Sequence, residues 1–187
     1  MEKNSLDVKK SLVLFGNLRV MVCAAVFAAM SIVLGKFVPL INIDVLRFSF
    51  ENLPILMAGI AFGPFVGAFV GGCADIIGCL LVGYTINPMV TLGAIAIGFF
   101  SGVVSFYVVR KSLLPMVTVS VGVAHVIGSV LIKSIGLAAY YSYPLYQLML
   151  IRLLNYTILA ICESTVIYLL LKNKGVSKQL NRIRICK

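Results

Sequence analysis

The chain has 187 residues, 61% of them hydrophobic and only 12% charged, with a mean hydropathy of +1.08. That composition excludes a soluble globular domain and points to an integral membrane protein in contact with a lipid bilayer. The net charge of +10 would suggest a nucleic-acid partner in a soluble protein, but here the basic residues gather at the ends of apolar runs, so no nucleic acid is expected. A span needs about 20 apolar residues, and the length accommodates about six, arranged as one compact all-α bundle. Five cysteines (Cys23, Cys73, Cys79, Cys162, Cys186) form no CxxC and meet one histidine. They read as buried thiols, and neither a metal site, a disulfide framework nor a cofactor is expected.

Residues 1–17 read as a cytoplasmic N-terminal tail, 18–172 as the membrane bundle, and 173–187 as a basic cytoplasmic C-terminal tail. The first span, Leu18 to Val38, contains AAVFAAMSIVLG, which sets Ala24 four residues before Ala28 and Ala25 four before Ala29. Small residues at that spacing permit close helix approach, either within the bundle or to a partner. After Pro39 the segment PLINIDVLRFSF is β-prone and carries Asp44 and Arg47, as a lid does. Asn52 can cap a short second helix, with Pro54 in its first turn, ending at Gly63-Pro64. A third helix runs to Val82 with Gly67, Gly71 and Gly78 on it, and Asp75 near mid-membrane. A carboxylate there costs about 2.5 to 3.5 kcal/mol on insertion scales, so it must face a partner or a cavity.

The loop GYTINP supplies Tyr84 and Asn87 before a fourth helix, Met89 to Val109. The fifth, Leu114 to Ala139, places His125, Ser129 and Lys133 at successive i, i+4 positions on one broad face. Tyr140, Tyr141, Tyr143 and Tyr146 then cluster like an interfacial belt. On the sixth helix, Pro144 to Lys172, Arg152, Asn155 and Glu163 share a face, because offsets of 3 and 11 rotate by about −60° and +20°.

Twelve of the sixteen Lys and Arg residues fall at one face if there are six spans, which makes that face, and both termini, cytoplasmic. Lys36, Arg47, Lys133 and Arg152 remain in or near the outer half. Arg47, Lys133 and Arg152, with few acids nearby, can converge on an outward cavity for an anionic ligand, and Tyr84, Tyr140 or Tyr143 can stack on a flat ring. Asn52, Asn87 and Asn155 add hydrogen-bonding capacity around it. For Lys133 and Arg152 the alternative is snorkelling to headgroups. Helices five and six run antiparallel, so His125 and Glu163 lie at similar depth, about 12 to 17 Å inward of Lys133 and Arg152. They are expected to pair structurally, as is Asp75 with a neighbour; a proton relay is the sharper alternative for the His125–Glu163 pair. No nucleophile elbow, HExxH, phosphate-binding loop or aspartate cluster is present, so no enzymatic activity is expected and an active importer would need ATPase partners.

The paired alanines, Arg47-Phe-Ser-Phe-x-x-Leu53-Pro54, Gly59-x-x-Phe62-Gly63-Pro64-x-x-Gly67 and Ala74-Asp75-x-x-Gly78 together resemble the substrate-binding S component of energy-coupling factor (ECF) vitamin transporters, most closely the folate branch. The resemblance spans Leu18 to Lys172. It implies a six-helix subunit in a bacterial plasma membrane that captures a vitamin, folate or a related anionic vitamin or precursor, in an outward cavity. It further implies that Ala24, Ala25, Ala28 and Ala29 dock on a transmembrane coupling subunit driven by two ATPases. Glu51-Asn52 and GYTINPMVTLG stand where the folate binders carry Gly-Phe and a Pro-Gly-Phe loop. The competing class is a stand-alone secondary transporter of a small anionic solute, which would need coupling-ion ligands and often shows inverted repeats.

Overall fold

The computed structural model describes residues 16–37, 41–43, 46–109, 112–141 and 144–185. Most of the N-terminal tail, Asp44, Arg110, Lys111 and Tyr143 lie outside them, as does the side chain of Arg47. Helix α1 (Leu18–Phe37) is opened by Asn17, whose side-chain oxygen accepts from the Arg19 N–H at 3.0 Å, and its last turn, Val33–Phe37, is π-helical. A short antiparallel hairpin follows, β1 (Ile41–Ile43) against β2 (Leu46–Phe48), with Asn42 opposite Arg47. Helix α2 (Asn52–Phe62) turns through Gly63 into α3 (Pro64–Val82). Helix α4 is Pro88–Val108, its end again π-helical. Helix α5 is continuous through Leu113–Ala124, a π-helical His125–Ile132 and Lys133–Tyr141. Helix α6 (Leu145–Lys172) precedes α7 (Lys174–Ile185), so most of the basic C-terminal segment is helical.

Five of these helices, α1, α3, α4, α5 and α6, are long and apolar enough to cross a bilayer. Helix α2 is not: its 11 residues rise about 16 Å against about 30 Å of hydrocarbon. It is instead sunk in the bundle, and ten of its residues are buried. Its ends follow from local chemistry, though not as the sequence suggests for Asn52. The helix begins at that residue rather than being capped by it, the preceding Glu51 makes no capping bond, and Asn52 is 1% exposed. Glu51 is drawn away by a charge described below. At the other end Gly63 has φ 102°, a conformation open to glycine because a Cβ would collide with the backbone. Pro64 then starts α3 where its missing N–H costs nothing.

The glycines of α2 and α3 form a seam with α4. A side chain on Gly67 would strike the Gly98 carbonyl, one on Gly98 the Gly67 carbonyl, one on Gly71 the Ala94 carbonyl, and one on Gly102 the backbone of Pro64. Backbone therefore touches backbone along α3 and α4, with α2 tucked beside them through Gly59. Such packing substitutes van der Waals contact for a hydrophobic driving force that lipid does not provide. Val66, Val70, Leu56, Phe62 and Ile97 fill the core on either side. Helix α1 leans on α2 and α3 through Val20, Ala24 and Ala28.

Candidate functional site

A cavity of about 20 Å³ lies where α1, α2, α3, α4 and α5 meet, lined by Ser31, Lys36, Glu51, Asp75 and Lys133 among others. Lys133 is 4% exposed, and its ammonium lies 3.5 Å from the Glu51 carboxylate. Two glycines make the approach possible. The Lys133 stem lies where a side chain on Gly93 would be, and the Glu51 side chain lies where one on Gly35 would be. The Ser31 hydroxyl donates to the Glu51 carbonyl at 2.6 Å, which pins the turn that carries the carboxylate. Asp75 accepts a 2.7 Å hydrogen bond from the Thr91 hydroxyl, so its charge points into the bundle. Lys36 lies over the Tyr84 ring, 5.5 Å from its centre, with its nitrogen 4.0 Å from the Cys79 sulfur. Thus two acids and two bases from four separate elements share one small space.

A second polar group joins α5 to α6. The His125 Nε2 is hydrogen-bonded to Glu163, which is 0% exposed, and its Nδ1 lies 3.1 Å from the Ser129 hydroxyl. The imidazole stacks on Tyr156 at 5.2 Å between ring centres, and Arg152 lies over the same ring at 6.0 Å while donating to the Ser129 carbonyl at 3.2 Å. Lys133 lies within electrostatic range of Asp75, Tyr156 and Arg152, so the two groups form one polar belt. Outside them, α5 and α6 part to leave an apolar cleft of about 260 Å³ floored by His125 and Tyr156 and flanked by Val126, Leu153 and Ile161. Its flanks are exposed apolar side chains on helices long and apolar enough to cross a bilayer, so this larger space opens on the outer surface of the bundle.

The structure therefore corrects the picture of three cations with few acids nearby. Lys133 is already neutralised by Glu51, and Arg152 is committed to Ser129 and Tyr156. Asn155 and Asn52 are buried, the Asn52 side-chain oxygen having no hydrogen-bond partner among the described residues. Asn87 caps α4, its side-chain oxygen accepting from the Met89 N–H at 3.0 Å. Tyr84 is exposed beside Lys36 at the mouth. Lys36, Glu51 and Thr91 are the cavity-lining or cavity-fixing residues that sequence reasoning left out of the site. The signal available for Glu51 was scarcity: the chain has six acidic residues, and those in described positions, Glu51, Asp75 and Glu163, each have an inward partner.

The four alanines of α1 divide. Ala24 and Ala28 are buried against the chain's own helices, whereas Ala25 and Ala29 are exposed beside Val22, Val26 and Met30. Adjacent residues differ by about 100° around a helix, so the two pairs cannot share a face. Of the four alanines expected to dock on a partner, Ala24 and Ala28 are taken up by the chain's own core, and Ala25 and Ala29 are the two left exposed.

The chain is thus a bundle of apolar, membrane-length helices that encloses a small polar cavity. Residues 19–174 match the family described as ECF transporter, substrate-specific component, and the chain belongs to that family. It is a transporter component and not an enzyme. The chain is 26% identical over 176 residues to the folate transporter FolT of Clostridium novyi (strain NT), covering 90% of this chain and 94% of that one. Its fold is similar to that in a crystal structure of FolT bound with folic acid, with a TM-score of 0.67 at 22% identity, over 81% of this chain and 91% of that chain.

Proposed function

We propose that the chain is the high-affinity subunit through which an ECF-type importer captures folate or a closely related vitamin or precursor in a bacterial plasma membrane. The observation that carries the folate assignment is the end-to-end similarity to a folate transporter, over nine-tenths of both chains. Energy for uptake comes from partners, a transmembrane coupling subunit and two ATPase subunits, because the chain carries no nucleotide-binding motif of its own. All six helices of the 18–172 bundle traverse the membrane region, α2 and the hairpin together making up one crossing, and both termini lie in the cytoplasm. Twelve basic residues at one face support that orientation.

Ligand contacts come from the outer ends of the elements: Arg47 and Asn52 from the hairpin side, Tyr84 and Asn87 from the α3–α4 loop, and Lys133, Arg152 and Asn155 from α5 and α6. A space of about 20 Å³ admits about one water, against about 300 to 1,000 Å³ for a ligand site. Binding thus requires the walls around Glu51 and Lys133 to part. On the outside, Ala25 and Ala29 form the small-residue face on which the coupling subunit docks. The direct test is mass spectrometry of the purified, undenatured protein. A stoichiometric reduced or oxidised folate supports the assignment, and a protein that binds no pterin or B vitamin overturns it.

A further inference from the structure

Residues 172–187 carry six Lys or Arg and no Asp or Glu, and α7 begins at the last residue of the family match. At 100° per residue its register sets Val176, Leu180 and Ile183 within about 60° of one another, and Lys174, Lys178 and Arg182 within about 80° on the opposite side. The fold uses the apolar set. Val176 and Leu180 are partly buried, Leu180 packs against the core, and α7 lies against α6 and α1. Lys174 and Lys178 are exposed, as is Lys172 at the end of α6. The acids in described positions do not answer them, because Glu51, Asp75 and Glu163 are engaged inside the bundle with Lys133, Thr91 and His125.

We infer that α7 is a membrane-surface helix whose basic face binds the headgroups of anionic phospholipids. Its depth follows from the chain. Helix α6 is long and apolar enough to cross a bilayer, and one residue, Asn173, separates its end at Lys172 from the start of α7. Helix α7 therefore starts at the edge of the hydrocarbon, where the polar layer is about 5 to 8 Å thick and a helix is about 10 Å across. Because Leu180 holds the apolar side to the bundle, the cations lie on the side turned to headgroups and water, as in other basic amphipathic helices of the interface. Each cation near an anionic leaflet adds about fivefold to the affinity for it. A protein partner fits this face less well. The exposed residues described on α7 are Lys174, Gly175, Lys178 and Gln179, and none of them is the aromatic or apolar anchor on which protein interfaces depend. A layer of phosphate charge needs no such anchor.

The test is made on the purified full-length protein in a neutral detergent, with phosphatidylglycerol or phosphatidylcholine added as mixed micelles. The readouts are the melting temperature and native mass spectrometry of the retained lipid. Phosphatidylglycerol is expected to raise the melting temperature by several degrees and to be retained about tenfold over phosphatidylcholine, and both preferences should fade in 1 M salt, where the Debye length is about 3 Å. The triple variant Lys174→Gln, Lys178→Gln, Arg182→Gln is expected to lose the preference. Lys3→Gln with Lys9→Gln and Lys10→Gln, which removes the same charge from the other end of the chain, should keep it. Lys178→Gln alone, at an exposed site, should lower the preference by about fivefold and decides the matter if the triple variant does not fold. A wild-type protein that responds equally to the two lipids overturns the inference. So does an equal loss in the two triple variants, which would make the effect one of net charge. An α7 variant that keeps its phosphatidylglycerol preference but no longer co-purifies with a coupling subunit also overturns it and assigns the face to a protein partner.

Discussion

The two halves of the bundle solve the membrane problem in opposite ways. In the α2–α3–α4 half, glycines bring backbones into contact, the buried polar side chains are Asn52, Thr91, Ser101 and Ser105, and the one charged side chain, Asp75, is held by Thr91. In the α5–α6 half the helix is π-wound from His125 to Ile132, side chains rather than backbones mediate contact, and the belt from Lys133 to Glu163 runs through it. π-Turns cost regular hydrogen bonding and recur at functional sites. The contrast is one of packing: one half is a post held by backbone contact, and the other is a wall joined to it through polar side chains.

Breaking the post should have the largest effect. Gly98→Val places a branched side chain into the Gly67 carbonyl and backbone, with no flexible neighbour to yield, and is expected to abolish monodisperse protein on size-exclusion chromatography. His125→Leu comes next. It leaves Glu163 fully buried without its imidazole partner, which should cost about 3 kcal/mol and lower the melting temperature in detergent by several degrees. His125→Gln keeps a donor and should recover most of that loss; a variant as unstable as His125→Leu would show that the ring stack on Tyr156, not the hydrogen bond, holds α5 to α6. Thr91→Val removes the Asp75 hydrogen bond from the glycine-packed half, and intramembrane bonds of this kind are worth about 0.6 to 1.7 kcal/mol. A measurable but smaller drop in melting temperature is expected. Last, Ala25→Leu with Ala29→Leu should leave melting temperature and ligand affinity unchanged, because both sites are exposed. Under the proposed docking role, co-purification with the coupling subunit and uptake in cells would both be lost.

Much of the frame was legible in the sequence. The helix limits at Leu18, Pro64, Val82 and Lys172 are written in runs of apolar residues bounded by charges, prolines and glycines, and these signals are local. The glycine ladder announced close packing of α3 because a row of missing side chains has one common use in a membrane. The site was legible only in part, since it depends on rotation and partnership. Lys133 looked like a spare cation because Glu51, its partner, is 82 positions away in the chain, and nothing local sets which way the Glu51 side chain points. The i, i+4 stripe of His125, Ser129 and Lys133 assumed α-helical winding, and no residue type between His125 and Ile132 forewarns of a π-helix. The alanine pairs were treated as one surface, although their offset of a single residue had already divided them.

That offset has a consequence for how the subunit can be altered. Helix α1 is small-sided on two neighbouring flanks, one owned by the fold and one left to the environment. Bulk added at Ala24 or Ala28 is judged by the chain's own interior, whereas bulk added at Ala25 or Ala29 is judged by whatever lies alongside in the bilayer. A single helix therefore carries two separate small-residue surfaces one position apart, so its outer side can be altered without touching the interior.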